Sequence, residues 1–187
     1  QNVTYLDQGV FDVEGTNVRF LGTTLWSRVQ DEYSEFVAQG LSDYKHIYYS
    51  ESDSSQKRKL SPQDTSEQHE KDLEWIKQQL EIAKQQDKRV VLLTHHAPTK
   101  ENTSSPQYNH DVKLESAFCS EILRGEIQQN YGDILKIACF GHSHFNVDFV
   151  LKDKANSQRN IRVVSNQLGY FMKGDRIGFG EKKILTI

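Results

Sequence analysis

Four of the seven histidines stand in two short clusters. His95 and His96 directly follow one apolar run, and His142 and His144 directly follow another. Neutral imidazole is the commonest metal ligand among side chains and suits Zn, Mn and Fe. The clusters therefore predict a metal centre, and ordinary partly buried histidines are the alternative that spacing alone leaves open.

The spacing of the second cluster suggests how its rings are arranged. His142 and His144 are two residues apart, and side chains two apart on an extended segment share a face. Two such rings could reach two adjacent ions. Gly141, just before them, would permit a tight exit from the strand and a close backbone approach.

Two buried strands must position these histidines. Val90–Leu93 and Leu135–Phe140 are rich in apolar residues, which is typical of central parallel strands. Sites in α/β sheets lie where such strands end. Both clusters come directly after one of these strands, so we expect them at the same edge of the sheet.

Helices are predicted between the strands. Ser61 and Pro62 suit the N-cap and first position of a helix that an apolar stripe carries to about Gln86. Leu114–Ile122 indicates a second helix, and Glu32–Ala38 a short one. Long helices between buried strands predict an α/β layered fold. Further strands are predicted at Gly9–Val13 and Val18–Leu25 (a hairpin), Asp43–Tyr49, Phe145–Leu151, Ile161–Val164 and Ile184–Ile187.

Composition limits the classes of function. The net charge of −3 argues against nucleic acid as a partner. The apolar runs are far shorter than the ~18 residues of a membrane span, and no signal peptide is evident. Cys119 and Cys139 are predicted to be buried free thiols, which favours a reducing, cytoplasmic location. The length predicts one domain over residues 1–187.

The residues around the histidines resemble the later motifs of calcineurin-like metallophosphoesterases. Thr94-His95-His96-Ala97-Pro98 followed by Gly141-His142-Ser143-His144 carries the resemblance, and segments from Arg19 to Tyr170 stand in the family order. The resemblance implies the C-terminal portion of a two-sheet αββα sandwich. It also implies hydrolysis of phosphomonoesters or diesters at a dinuclear centre of Mn, Zn or Fe, where a metal-bound hydroxide attacks phosphorus in line.

The resemblance also assigns roles to individual residues. His95 and His142 would bind one metal ion and His144 the other. His96 would orient a phosphate or only pack. Asn166 and Tyr170 fall in the late family segment and would contact substrate or support the site.

The family's early motifs are missing. They are Asp-x-His, Gly-Asp-x-x-Asp and Gly-Asn-His followed by an acid, and they supply the carboxylates, an Asn and further His. No Asp here is followed by x-His, and Asn109-His110-Asp111 imitates the third motif in the wrong order. The chain also begins with Gln1, with a strand-like segment directly behind it. We therefore expect a partial domain whose N-terminal part is missing and which, alone, need not bind metal and is inactive.

Two functions remain open at this stage. The chain is the C-terminal part of a metal-dependent phosphoesterase, or it is a non-catalytic phosphoesterase-like module with an interaction role in a larger assembly. A mononuclear metal-binding module is a weaker third. In the first two cases, unpaired sheet edges predict a protein partner or a missing segment that completes the sheets. The sequence does not indicate the substrate, the metal or the oligomeric state.

Overall fold

The computed structural model of this chain describes residues 3–50, 57–106, 112–170 and 177–187. It is a mixed α/β structure with a six-stranded sheet, a separate two-stranded sheet and helices. The strands are β1 (Gly9–Asp12), β2 (Val18–Thr23), β3 (Tyr48–Ser50), β4 (Lys57–Lys59), β5 (Arg89–Thr94), β6 (Leu135–Phe140), β7 (Asp148–Leu151) and β8 (Ile161–Ser165). The helices are α1 (Ser34–Gly40), α2 (Ser42–His46), α3 (Pro62–Gln85), α4 (Val112–Phe118) and α5 (Gln128–Tyr131), with short 3-10 turns at Asp31–Tyr33 and Ser157–Arg159.

The large sheet has the strand order β1-β2-β5-β6-β8-β7. Strands β2, β5, β6 and β8 are parallel, whereas β1 and β7 pair antiparallel at the two edges. The predicted hairpin and both predicted buried strands are confirmed. Because β5 and β6 are parallel neighbours, the loops that follow them leave the sheet at one edge.

Helix α3 begins where the sequence predicts. Ser61 forms a capping box with Asp64: the Asp64 backbone N–H donates to the Ser61 hydroxyl at 3.3 Å, and the Ser61 N–H donates to the Asp64 carboxylate at 2.9 Å. Ile76, Leu80 and Ala83 are fully buried on the face turned to the sheet. The stripe thus holds this helix against the main core.

The two faces of the large sheet are covered differently. One face, with Leu21, Leu92 and Ala138, packs against α3 and the segment around Ile127 in the main core. The other carries a smaller apolar group formed by Val18, Val91, Ile137 and Val164, against which Leu185 and Ile187 pack. Among the described residues, no helix combines the length and apolar content that a membrane crossing requires.

Three strand predictions are wrong in type or extent. Asp43–Tyr49 is predicted as a strand, but its first part is α2; an acidic residue in the first turn and Lys45 and His46 in the last suit the helix dipole. Ile184–Ile187 lies outside the strands. The strand predicted from Phe145 begins only at Asp148. Before this strand, the Val147 N–H donates to the Ser165 hydroxyl at 3.0 Å and not to a backbone carbonyl of a neighbouring strand.

The N-terminal segment also differs from the expectation of an immediate strand, because β1 begins only at Gly9. Both cysteines are free, as predicted: Cys119 is buried and Cys139 half-buried. Burial raises the pKa of the Cys119 thiol to about 12, so this side chain stays a neutral thiol at physiological pH.

Candidate metal centre

The two histidine segments are joined to one another by backbone hydrogen bonds at the sheet edge. The Gly141 N–H donates to the carbonyl of His95 at 3.0 Å. The N–H groups of His95 and His96 donate to the carbonyl of Thr24, just after β2, at 3.1 and 3.2 Å. Three neighbouring strands therefore fix the backbone from which the histidine rings project.

The side chains of His95, His96 and His142 converge. The ring centroids of His95 and His142 are 4.9 Å apart, those of His96 and His142 4.1 Å, and those of His95 and His96 5.4 Å. One nitrogen from each ring lies within 4.8 Å of the other two. We call these three residues the His cluster.

Two nitrogens of the His cluster are buried without a partner. His96 is only 2% exposed, and its Nε2 atom and that of His142 accept or donate no hydrogen bond within the described part of the chain. A buried polar atom without a partner costs about 1–3 kcal/mol, so such atoms call for an explanation. A cation between the rings would be one.

The chemistry of the cluster fits a divalent ion. Two nitrogens at the usual Zn–N distance are about 3.4 Å apart in a tetrahedral site. The ring nitrogens of the His cluster, which lie within 4.8 Å of one another, would reach this separation after small movements of the rings. Burial lowers the pKa of all three histidines, that of His96 well below its usual range and that of His142 to about 4. Unprotonated imidazole is the form that binds a metal.

Neighbouring side chains hold the inner wall of the cluster. The Ser27 hydroxyl lies 2.9 Å from His96 Nδ1, and the Trp26 ring lies 5.0 Å from the His96 ring. The Trp26 carbonyl in turn accepts a 2.6 Å hydrogen bond from His69 Nδ1. On the other side, Phe118 stacks on His142 at 4.7 Å. These contacts fix the ring planes of His96 and His142.

The His142–His144 segment is not extended, contrary to the expectation from its spacing. Its two histidines have φ of 66° and 51°, in the left-handed region that non-glycine residues rarely adopt. The His144 ring packs instead against Tyr170, with centroids 4.6 Å apart, and the His144 N–H donates to Gln167 Oε1 at 2.9 Å. His144 thus lies beside the His cluster but outside it.

Gly141 does not carry the unusual backbone of this turn. A Cβ built on it would be 3.5 Å from His95 Nδ1, an ordinary contact, and its φ is not positive. The uncommon conformation falls on the two histidines. Backbone strain of this kind concentrates at functional sites.

The other predicted site residues lie at the border of the site. Asn166 uses both ends of its amide on the backbone of Gly180, donating at 2.8 Å and accepting at 2.9 Å. The Tyr170 side chain is 58% exposed and reaches the site through His144. The Asn109–Asp111 imitation of a family motif lies outside the described residues.

Sequence reasoning missed two residues that bear on the cluster. Ser27 follows β2 at the same sheet edge, and this position after a predicted strand is the sequence signal that could have identified it. Phe118 reads as an ordinary core residue.

Comparison with known proteins leaves the family open. The chain matches no protein-family model. It is similar to "Uncharacterized protein L509" of Acanthamoeba polyphaga mimivirus, with 23% identity over 169 residues. The match covers 90% of this chain and 55% of the viral protein, so the chain spans about half the length of the curated relative that it matches.

Proposed function

We propose that this chain carries the histidine side of the metal centre of a phosphoester hydrolase of the calcineurin-like type. One observation supports the proposal above the others. Three histidines from the ends of two adjacent parallel strands bring ring nitrogens within 4.8 Å, and two of the three keep a buried nitrogen without a partner. This placement agrees with the motif order that suggests the family.

A divalent ion at the cluster would supply Lewis acidity toward a phosphoryl oxygen and lower the pKa of water. The chain's own residues prepare that site. His95, His96 and His142 offer neutral nitrogens. Ser27 Oγ lies 2.9 Å from His96 Nδ1, and in the tautomer with the proton on Nδ1 it accepts that hydrogen bond and leaves Nε2 available to the ion. Phe118 and Trp26 exclude water from the inner side of the rings.

His144 and Tyr170 flank the outer side of the cluster. In the proposed function, His144 contributes to a second ion, and the exposed Tyr170 ring borders the space a substrate would enter. Imidazoles give no negative charge to offset two divalent ions, so the dinuclear centre needs carboxylates that the matched motifs do not supply. We therefore propose that this chain alone is not a competent hydrolase.

Two assays test this function. The chain is titrated with Zn²⁺ and Mn²⁺, and the chain and the polypeptide isolated from its natural source are assayed with p-nitrophenyl phosphate and bis(p-nitrophenyl) phosphate. We expect the chain to bind one metal ion and the His142→Ala variant to bind none. If the intact mass of the natural polypeptide exceeds 21.6 kDa, we expect that polypeptide to hydrolyse an ester and the chain alone not to do so. If neither polypeptide binds metal or hydrolyses an ester, the proposal is wrong.

The alternative function is a non-catalytic interaction module. It is favoured by edge strand β1, where Val10 is 42% and Phe11 45% exposed. An edge that presents apolar side chains and unpaired backbone groups invites pairing with another chain. Sedimentation at increasing concentration tests this alternative, and a monomer at all concentrations would count against self-association.

A further inference from the structure

A separate cleft opens between helix α3, the segment that follows β2 and the segment that follows α4, and its volume is about 630 Å³. None of the three cluster histidines lines it. Clefts of about 300–1,000 Å³ with a few convergent polar groups are typical of small-molecule sites. The segment after β2 borders both places, because Trp26 and Ser27 contact His96 while Arg28 and Val29 line the cleft.

His69 presents an unused hydrogen-bond acceptor to this cleft. The residue is 4% exposed, and its Nδ1 lies 2.6 Å from the Trp26 carbonyl. A carbonyl can only accept, so Nδ1 carries the proton and the neutral ring keeps a lone pair on Nε2. Among the described residues Nε2 has no hydrogen bond, and unlike Nε2 of His96 and His142 it is not closed off from solvent. Since His69 lines the cleft, this nitrogen is available to a donor group bound there.

The two sides of the cleft offer opposite hydrogen-bonding groups. On α3, the Glu70 carboxylate follows His69, and both are acceptors. On the facing segments, Arg28 is a donor, and the Ser120 hydroxyl, which accepts the Arg28 N–H at 3.1 Å, has its own proton to donate. Arg28 Nε lies 3.6 Å from a Glu70 oxygen, and the two side chains are 71% and 58% exposed. This contact is weak, so a ligand can replace it.

The other charged and apolar groups of the cleft narrow the class of ligand. The remaining cations that line it are already paired with carboxylates: Lys77, Lys100 and Arg124. Arg28 is therefore the cation available to an acidic group of a ligand. The cleft also has three buried apolar side chains in its lining: Val29, Ile122 and Ile127. A hydrocarbon group of the ligand would gain free energy by packing on them.

We infer that this cleft binds a small zwitterion, an α-amino acid with an apolar side chain. Its ammonium group donates to His69 Nε2 and to the Glu70 carboxylate, and its carboxylate accepts from Arg28 and from the Ser120 hydroxyl. Its side chain packs on the apolar lining. Opposite charges on one small molecule match the opposite groups on the two sides of the cleft, which a simple anion or a simple cation does not. The inference does not depend on a metal ion at the His cluster.

The test is isothermal titration calorimetry of the full chain with L-leucine, without added metal. Two control ligands keep the leucine side chain: 4-methylpentanoate lacks the ammonium group, and 3-methylbutylamine lacks the carboxylate. Arg28→Gln removes the guanidinium and Glu70→Gln removes the negative charge. Glu81→Gln removes the same charge from an exposed position about three turns further along α3. We expect L-leucine to bind, Arg28→Gln and Glu70→Gln each to weaken binding about tenfold, and Glu81→Gln to match the wild type.

Three results would overturn the inference. The first is a wild-type chain that does not bind L-leucine. The second is a control ligand that binds as tightly as L-leucine, because the cleft then does not recognise a zwitterion. The third is a Glu81→Gln variant that binds as weakly as Glu70→Gln, because only net charge then matters. Far-UV circular dichroism checks the fold of each variant, and if Arg28→Gln has lost its helical signal, the comparison of Glu70→Gln with Glu81→Gln decides.

Discussion

His96 and His142 stack with ring centroids 4.1 Å apart, and the Nε2 atom of each is buried without a hydrogen-bond partner among the described residues. Two rings in this arrangement pack well against each other and against Phe118. Their unpaired nitrogens, however, are a cost in the metal-free protein. A cation bound by both nitrogens would remove this cost. Cation binding should therefore stabilise the folded protein at the place where the metal-free protein is destabilised.

Zinc should therefore raise the thermal stability of the wild type. A ligand present at 100 times its dissociation constant stabilises by about 2.7 kcal/mol, which for a chain of this size raises Tm by roughly 5–10 °C. His142→Phe keeps the stacking and removes one ligand, so its Tm should hardly respond. Thermal unfolding with and without Zn²⁺ measures both, and an equal shift in the variant would show that binding occurs elsewhere.

Acid should destabilise the metal-free chain through His142. Burial lowers the pKa of this residue from 6.5 to about 4 in the folded state. Between these two pH values the unfolded chain therefore binds more protons than the folded chain. The free energy of unfolding is at its full value above pH 6.5 and decreases by up to about 3 kcal/mol as the pH falls toward 4. Urea unfolding at pH 7 and pH 4.5 measures the loss.

The control for this pH dependence is again His142→Phe, which cannot titrate. Its unfolding free energy should fall less between the two pH values than that of the wild type. Carboxylates that titrate in the same range affect both proteins alike, so the difference isolates the histidine. Parallel curves for the two proteins would contradict the assignment.

Ser27 should matter for both stability and metal binding. Its hydroxyl is the hydrogen-bond partner of His96 Nδ1 at 2.9 Å, and both side chains are buried. Ser27→Ala leaves that nitrogen unpaired, which should lower the free energy of unfolding by about 1–3 kcal/mol. Loss of the partner that orients a metal-binding histidine should also weaken Zn²⁺ binding about tenfold.

Chemical denaturation and a Zn²⁺ titration of the same variant separate these effects. Ser27→Thr keeps the hydroxyl and should restore the affinity if its extra methyl group is accommodated. A Ser27→Ala protein with unchanged affinity would mean that His96 contributes no nitrogen to the ion. The cluster would then reduce to His95 and His142.

Local patterns predicted most of the framework. The capping signal at Ser61 and the apolar runs of β5 and β6 depend on neighbours in the chain, and all three elements formed as expected. The strand ends also located the histidines at one sheet edge. The helical start of the Asp43–Tyr49 segment was missed because short polar segments carry weak periodicity, and dipole and packing contacts decided its form.

The details of the site depended on tertiary contacts. The sequence indicates that His142 and His144 lie close together, but not that both adopt a positive φ and contact different partners. The burial of His96 follows from packing by Trp26 and Ser27, which come from a segment about 70 residues away. Motif spacing contains no information about such neighbours.

The capping box should act on stability alone. Ser61→Ala removes the side-chain acceptor for the Asp64 N–H at the start of α3 and should cost about 1 kcal/mol. The side-chain hydrogen bonds of Ser61 are made with Asp64 and not with the histidine turns, so Zn²⁺ affinity should not change. Denaturation and Zn²⁺ titration check the two statements, and a loss of affinity would reveal coupling between α3 and the cluster.

Asp72 is the buried acidic residue that holds the segment leading to Ser27. Its carboxylate is fully buried and accepts hydrogen bonds from the Leu25 N–H at 2.9 Å and from the Gln8 side chain at 2.9 Å. Leu25 has a φ of 49°, which is costly for a leucine and persists only because its surroundings fix it.

Asp72→Asn turns one acceptor into a donor and should cost about 1–3 kcal/mol. Asp133→Asn, at an exposed site, should change stability by less than about 0.5 kcal/mol. Because Trp26 and Ser27 follow Leu25 directly, Asp72→Asn should also loosen the wall behind His96 and weaken Zn²⁺ binding. Equal stability and affinity in the two variants would show that Asp72 does not support this wall.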